Sequence, residues 1–115
     1  MATFKMVGTL PMHETRQKID QSVVGGSVTG QVLFQNVYGG TDHKVMVVVY
    51  EKYYYRAANR VSLTVVIEEK DGETFVDATS TGGGQGIIFR FSWGAETSFA
   101  KIVVNTLTSA GFRLV

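Results

Sequence analysis

The chain has no cysteine and only one proline. Without cysteine, disulfides, thiolate metal sites and a thiol nucleophile are excluded, which suits a reducing compartment. The scarcity of proline stands against thirteen glycines, a ratio that fits a sheet rich in turns, bulges and close backbone approaches. Charge of one sign is also missing. Eleven Lys and Arg against ten Asp and Glu leave a formal charge of +1, too little to draw the chain to nucleic acid or an anionic membrane. The longest apolar run, Val45 to Tyr50, falls far short of the roughly 20 residues a membrane helix needs. Met1 to Leu10 has no apolar core of signal-peptide length. These absences lead us to expect a cytoplasmic chain.

Hydrophobic residues make up 44% and charged residues 18%, a balance that folds rather than staying disordered. A length of 115 residues predicts one domain, 1–115, with a real core and room for only a modest cavity.

Residues 61 to 93 carry the clearest pattern. Val61, Leu63, Val65 and Ile67 alternate with Ser62, Thr64, Val66 and Glu68, the period-two signature of a half-buried strand. Asp71-Gly72 follows, a dipeptide suited to the two positive φ angles of a type I′ hairpin turn. With Lys70 opposite Glu73, the register sets Ile67 against Val76, Val65 against Ala78, Leu63 against Ser80 and Val61 against Gly82. One face is then apolar, while Thr64, Glu68, Asp77 and Thr79 line the other, as in a sheet covered on one side. After Thr81 to Gly86, the alternation of Ile87, Phe89, Phe91 and Trp93 predicts another strand.

Upstream, residues 2 to 10 read as a strand. Pro11 opens a helix over Met12 to Val24 with Met12, Ile19 and Val23 inward, and Gly25-Gly26 is expected as a left-handed cap. Residues 27 to 38 read as a strand with Val28, Val32 and Phe34 on one face and a bulge at Gly30. Val45 to Tyr55 is a long strand. Ala95, Phe99, Ile102, Val103, Thr106, Leu107 and Ala110 form a helical stripe, started by Ser92 or Gly94, with Glu96 near its positive end, and ended by Gly111. The expected fold is therefore α+β, with a roughly six-stranded antiparallel sheet in β-α-β-β-β-β-β-α order and the C-terminal helix packed on one face.

No catalytic motif stands out. The glycine run is followed by an apparent strand rather than a helix carrying Gly-Lys-Ser/Thr, so it reads as a turn and not a phosphate loop. His13 and His43 lack metal-pair spacing, and no triad spacing is present, so no catalytic residue, metal ligand or cofactor is expected. The tyrosines at 50, 53, 54 and 55 lie near Lys52, Arg56 and Arg60, but Glu51, Glu68 and Glu69 dilute the basic field. A tyrosine rim for a pocket or a protein interface fits better than base stacking.

Tyr53-x-Tyr55, Asn59-Arg60-Val61-Ser62-Leu63, Ala78 through Thr81-Gly82-Gly83-x-Gln85, and Trp93-Gly94 together resemble a family of small single-domain bacterial proteins of unknown function, over residues 45 to 100. The resemblance implies no activity but singles out Tyr53, Tyr55, Asn59, Arg60, Gly82, Gly83, Gln85 and Trp93. The element order is also similar to helix-grip folds, many of which hold apolar ligands between sheet and helix, an analogy at the level of fold only. The expected function is non-enzymatic. The first reading is a module holding an apolar or amphipathic small molecule between the sheet and the C-terminal helix. The runner-up is a self-associating module, a homo-oligomer, using a sheet edge or the tyrosine face. Any recognition site is expected at Tyr53, Tyr55, Asn59, Arg60, Gly82, Gly83 and Gln85, where two turns meet at one end of the sheet.

Overall fold

The computed structural model describes residues 1–55, 58–82 and 89–115, with the side chains of 89–96 outside that description. In chain order the elements are β1 (Ala2–Gly8), α1 (Met12–Val23), β2 (Gln31–Gly39), β3 (His43–Tyr54), β4 (Asn59–Lys70), β5 (Glu73–Gly82), α2 (Phe89–Ser109) and β6 (Arg113–Leu114). The six strands form one antiparallel sheet in the order β2-β3-β4-β5-β1-β6. The α+β class and the C-terminal helix on the sheet are as expected.

The β4–β5 hairpin has the expected register, from Lys70 opposite Glu73 to Val61 opposite Gly82. Asp71 and Gly72 take φ of 53° and 80°, the doubly left-handed turn that the local sequence demands. Alternation then sorts side chains between two faces. Met46, Val48 and Tyr50 of β3, Val61 to Ile67 at odd positions of β4, and Val76, Ala78 and Ser80 of β5 are buried. Above them lies α2, packed on β5, β1 and β4 with α1 beside it. Phe99, Ala100, Val103 and Leu107 are each at most 1% exposed, so the described part of α2 meets the sheet through filled space. From α1, Met12, Thr15, Ile19 and Val23 complete the core at 3.6-residue spacing.

Several local expectations are corrected. The strand expected over 87–93 is not formed from Phe89 onward, because α2 begins there. Phe89 and Trp93, like Ala95 and Phe99, are also four apart, and so short an apolar run fits either period. Ser92, Gly94 and Glu96 therefore lie inside the helix rather than at its start. The sixth strand is instead β6, two residues long and paired with Met6 and Val7. Gly25-Gly26 is not a left-handed cap: Val24 ends α1 in helical conformation, with its N–H on the Asp20 carbonyl at 2.8 Å. Finally, the bulge in β2 falls between Val32 and Phe34 and not at Gly30. The extra residue, Leu33, shifts the parity of the strand. Val32 thus lies opposite buried Tyr50 and Phe34 opposite Val49, on different faces.

The end of α2 is set locally. Gly111 has φ 93°, its N–H reaches the Thr108 carbonyl, and the Phe112 N–H reaches the Leu107 carbonyl at 2.9 Å. This Schellman arrangement turns the chain and delivers buried Phe112 to the core.

One buried polar link crosses the core edge. The Tyr50 hydroxyl donates to Asp20 Oδ1 at 2.5 Å, and Arg16 Nε lies 3.1 Å from the same carboxylate. Burial pushes the Tyr50 pKa far up, and the Asp20 bond and charge add to it. Burial alone lifts Tyr54 to about 12. Both phenols stay protonated in the folded chain where the unfolded chain loses protons near pH 10. Their contribution is complete below about pH 10 and lost as pH rises beyond it. Melting temperature followed across the alkaline range should therefore fall, and Tyr50→Phe should flatten that fall. An unchanged slope would mean that Tyr50 does not govern it.

Candidate functional site

The expected recognition end of the sheet is partly assembled. Across the β3–β4 hairpin, Tyr53 lies opposite Arg60 and Tyr54 opposite Asn59. Gly82 lies beside Val61 on the neighbouring strand. Tyr53, Asn59, Arg60 and Gly82 thus share one end of the sheet, whereas Gly83 and Gln85 lie outside the described residues, as does the side chain of Trp93. Tyr53 and Tyr55 meet edge to face, with ring centroids 5.0 Å apart. Tyr54 points the other way, against Phe99 at 5.9 Å, as strand alternation requires. Ala58, in the turn, has φ 53°, a conformation an alanine seldom takes.

Sequence reasoning missed the other wall of this groove. Residues 28–31 run beside β3, where Thr29 Oγ1 both donates to the Tyr53 carbonyl and accepts from the Tyr53 N–H, each at 3.2 Å. Gly30 lets this segment pass close to the end of α1, since a Cβ there would stand 2.2 Å from the Val23 carbonyl oxygen. Val28, Thr29, Gln31, Tyr53, Tyr55 and Arg60 line a surface groove of about 550 Å³. Its charge is already compensated: Arg60 Nη1 lies 3.0 Å from Glu51 Oε1, and Gln31 Nε2 donates to the same oxygen at 3.4 Å. The contact is 24 residues distant along the chain for Thr29 and Tyr53 and has no local sequence signal.

A second surface is more unusual. All nine residues of β2 are exposed, including Leu33, Phe34, Val37 and Tyr38, each about half exposed. The register places Phe34, Asn36 and Tyr38 opposite Val49, Val47 and Val45, on the face away from the helices. Val66 of β4 stands opposite Val47 on that face. An apolar patch therefore spans Phe34 and Tyr38 of β2 and Val45, Val47 and Val49 of β3 and reaches Val66 of β4, between Thr64 and Glu68, and Asn36 Nδ2 donates to the Tyr38 hydroxyl at 2.9 Å within it. Contiguous apolar surface of this kind marks interaction sites more often than it marks ordinary protein surface.

Chemistry is sparse elsewhere. No group of three or more His, Cys, Asp or Glu capable of holding a metal occurs among the described residues. His43 has a partner that the sequence did not suggest, a side-chain hydrogen bond with Glu68. Asp77 lies opposite Lys5 and Val66 on the open face and is exposed, as its register implies. No helix among the described residues is long and apolar enough to cross a membrane.

Over residues 1–111 the chain matches a family of unknown function, DUF6054, and it belongs to that family. No curated protein matches it.

Proposed function

We propose that this member of DUF6054 is a non-enzymatic protein-interaction module that works through the uncovered half of its sheet, the β2 edge with the apolar face beside it. The observation that carries this reading is the exposure of every β2 residue in a strand that holds Leu33, Phe34, Val37 and Tyr38. Solvated edge strands are normally short, charged or covered, and β2 is none of these.

A small-molecule role between the sheet and α2 has less support, because Leu63, Val65, Ile67, Phe99, Val103 and Leu107 fill the described part of that interface. The groove at Tyr53, Tyr55 and Arg60 favours a second reading, capture of a small amphipathic ligand at the hairpin end. Native mass spectrometry of the purified protein separates the two. The interaction reading expects masses of the bare chain or its multiples. A stoichiometric small-molecule adduct, lost in Tyr55→Ala or Arg60→Ala, would overturn it in favour of the groove.

A further inference from the structure

Resting on that interaction reading, we infer that the partner of the β2 edge is β2 of a second copy, paired antiparallel about a two-fold axis at Asn36. The two sheet edges differ in how they meet solvent. At one end, β1 carries Lys5 and is shielded in part by β6, with the Val115 N–H on the Lys5 carbonyl at 3.0 Å and Arg113 in the strand. At the other, Gln31–Gly39 holds no Lys, Arg, Asp, Glu or Pro, and of the devices that keep edges apart it carries the bulge between Val32 and Phe34, which leaves the segment after it open. Two copies therefore bring no like charges together along this strand. The nearby guanidinium, Arg16, is already bound to Asp20 and Gln35.

The register follows from geometry. Directly opposed residues in an antiparallel pair point to the same face, so a two-fold normal to the sheet must pass through a residue and not between two. The bulge between Val32 and Phe34 confines regular pairing to the segment after it. Centres at Asn36 and at Val37 each pair five residues of it, and the side chains select the centre at Asn36. It sets Phe34 of each copy opposite Tyr38 of the other on the open face, on both sides of Asn36 against Asn36, and Gln35 opposite Val37 on the helix face. Aromatic cross-strand pairs of this kind are among the stabilising ones. A centre at Val37 instead pairs Gln35 with Gly39 and Asn36 with Tyr38, losing the aromatic pairs. Joined at Asn36, the two sheets become one of twelve strands, and the Val45, Val47 and Val49 rows of both copies flank a shared aromatic seam.

The absence of cysteine makes the test clean. In Asn36→Cys, thiols at the axis would lie on Cα atoms about 4.5 to 5.5 Å apart, within the range a disulfide spans. Mild oxidation should convert this variant to a covalent dimer, while Gln31→Cys, on the same strand but far from the axis, should stay uncrosslinked. Asn36→Lys should keep the monomer's circular dichroism and weaken the dimer by about tenfold or more in sedimentation equilibrium, equivalent to about 1.4 kcal/mol. A ligand-free wild-type monomer would overturn this inference and leave the interaction reading standing. So would a dimer that crosslinks no better at position 36 than at 31, or one indifferent to Asn36→Lys. A retained small-molecule adduct would overturn the interaction reading itself.

Discussion

Leu107→Ala should cost about 2 to 5 kcal/mol of stability, the range for removing a buried leucine from a packed core. Leu107 is fully buried and lies in the last turn of α2, which is packed on β5, β1 and β4. Its position is fixed from two directions. On one side the hydrogen-bonded sheet resists collapse into the vacated space. On the other, the Leu107 carbonyl accepts the Phe112 N–H, which ties the helix end to buried Phe112. The Phe112 ring in turn sits against Gly8, where a Cβ would lie 2.7 Å from it. A cavity at Leu107 thus stays largely open, and its cost belongs in the upper part of the range. Urea unfolding provides the measurement, with exposed Lys101→Ala as a control expected within about 0.5 kcal/mol of wild type. A loss for Leu107→Ala no larger than the control's would place the C-terminal half of α2 outside the core.

Gly39→Ala should be nearly as damaging, although Gly39 is on the surface. Gly39 ends β2 with φ 102°, and a Cβ there would stand 2.2 Å from the His43 carbonyl oxygen. That oxygen accepts the Gly40 N–H at 3.0 Å and cannot withdraw without opening the turn. Strain at positive φ costs on the order of 1 to 3 kcal/mol, and forcing the turn open adds roughly 1 to 3 more. Gly40→Ala is the matched control. No atom lies within 4 Å of a Cβ at Gly40 and its φ is not positive, so its effect should fall within about 0.5 kcal/mol. Equal stability of the two variants would show that the β2–β3 turn is not built as described. Because Gly39 holds the end of β2, its alanine variant should also lose the covalent dimer of Asn36→Cys when the two changes are combined.

How legible these features were depends on how far apart in the chain their causes lie. The β4–β5 register was readable because Asp71-Gly72 dictates its own turn and alternation carries the pairing outward from it. The same holds for Gly111, whose left-handed conformation ends α2. At Phe89 to Trp93, local signals conflicted, since five residues satisfy both the strand and the helix period. The bulge at Leu33 had no turn residue to announce it, yet it decides that Val32 and Phe34 face opposite ways. At the candidate groove, the tyrosines and Arg60 were visible as a cluster, but Thr29 and Gln31 arrive from another segment.

Period-two alternation, one strong hairpin turn and a helical stripe were enough to specify an antiparallel sheet with a helix over one face. Those features follow from backbone geometry within a few residues, where side-chain spacing and positive φ are read directly. The tertiary structure alone decided which strands became edges, that β1 inserts between β5 and β6, and that β2 is left uncovered with its apolar side chains in solvent. Pairing between strands distant in the chain depends on loop closure and on how two helices divide one sheet face between them. No short stretch of sequence encodes that division, and it is what makes Gln31–Gly39 a candidate interface rather than part of the core.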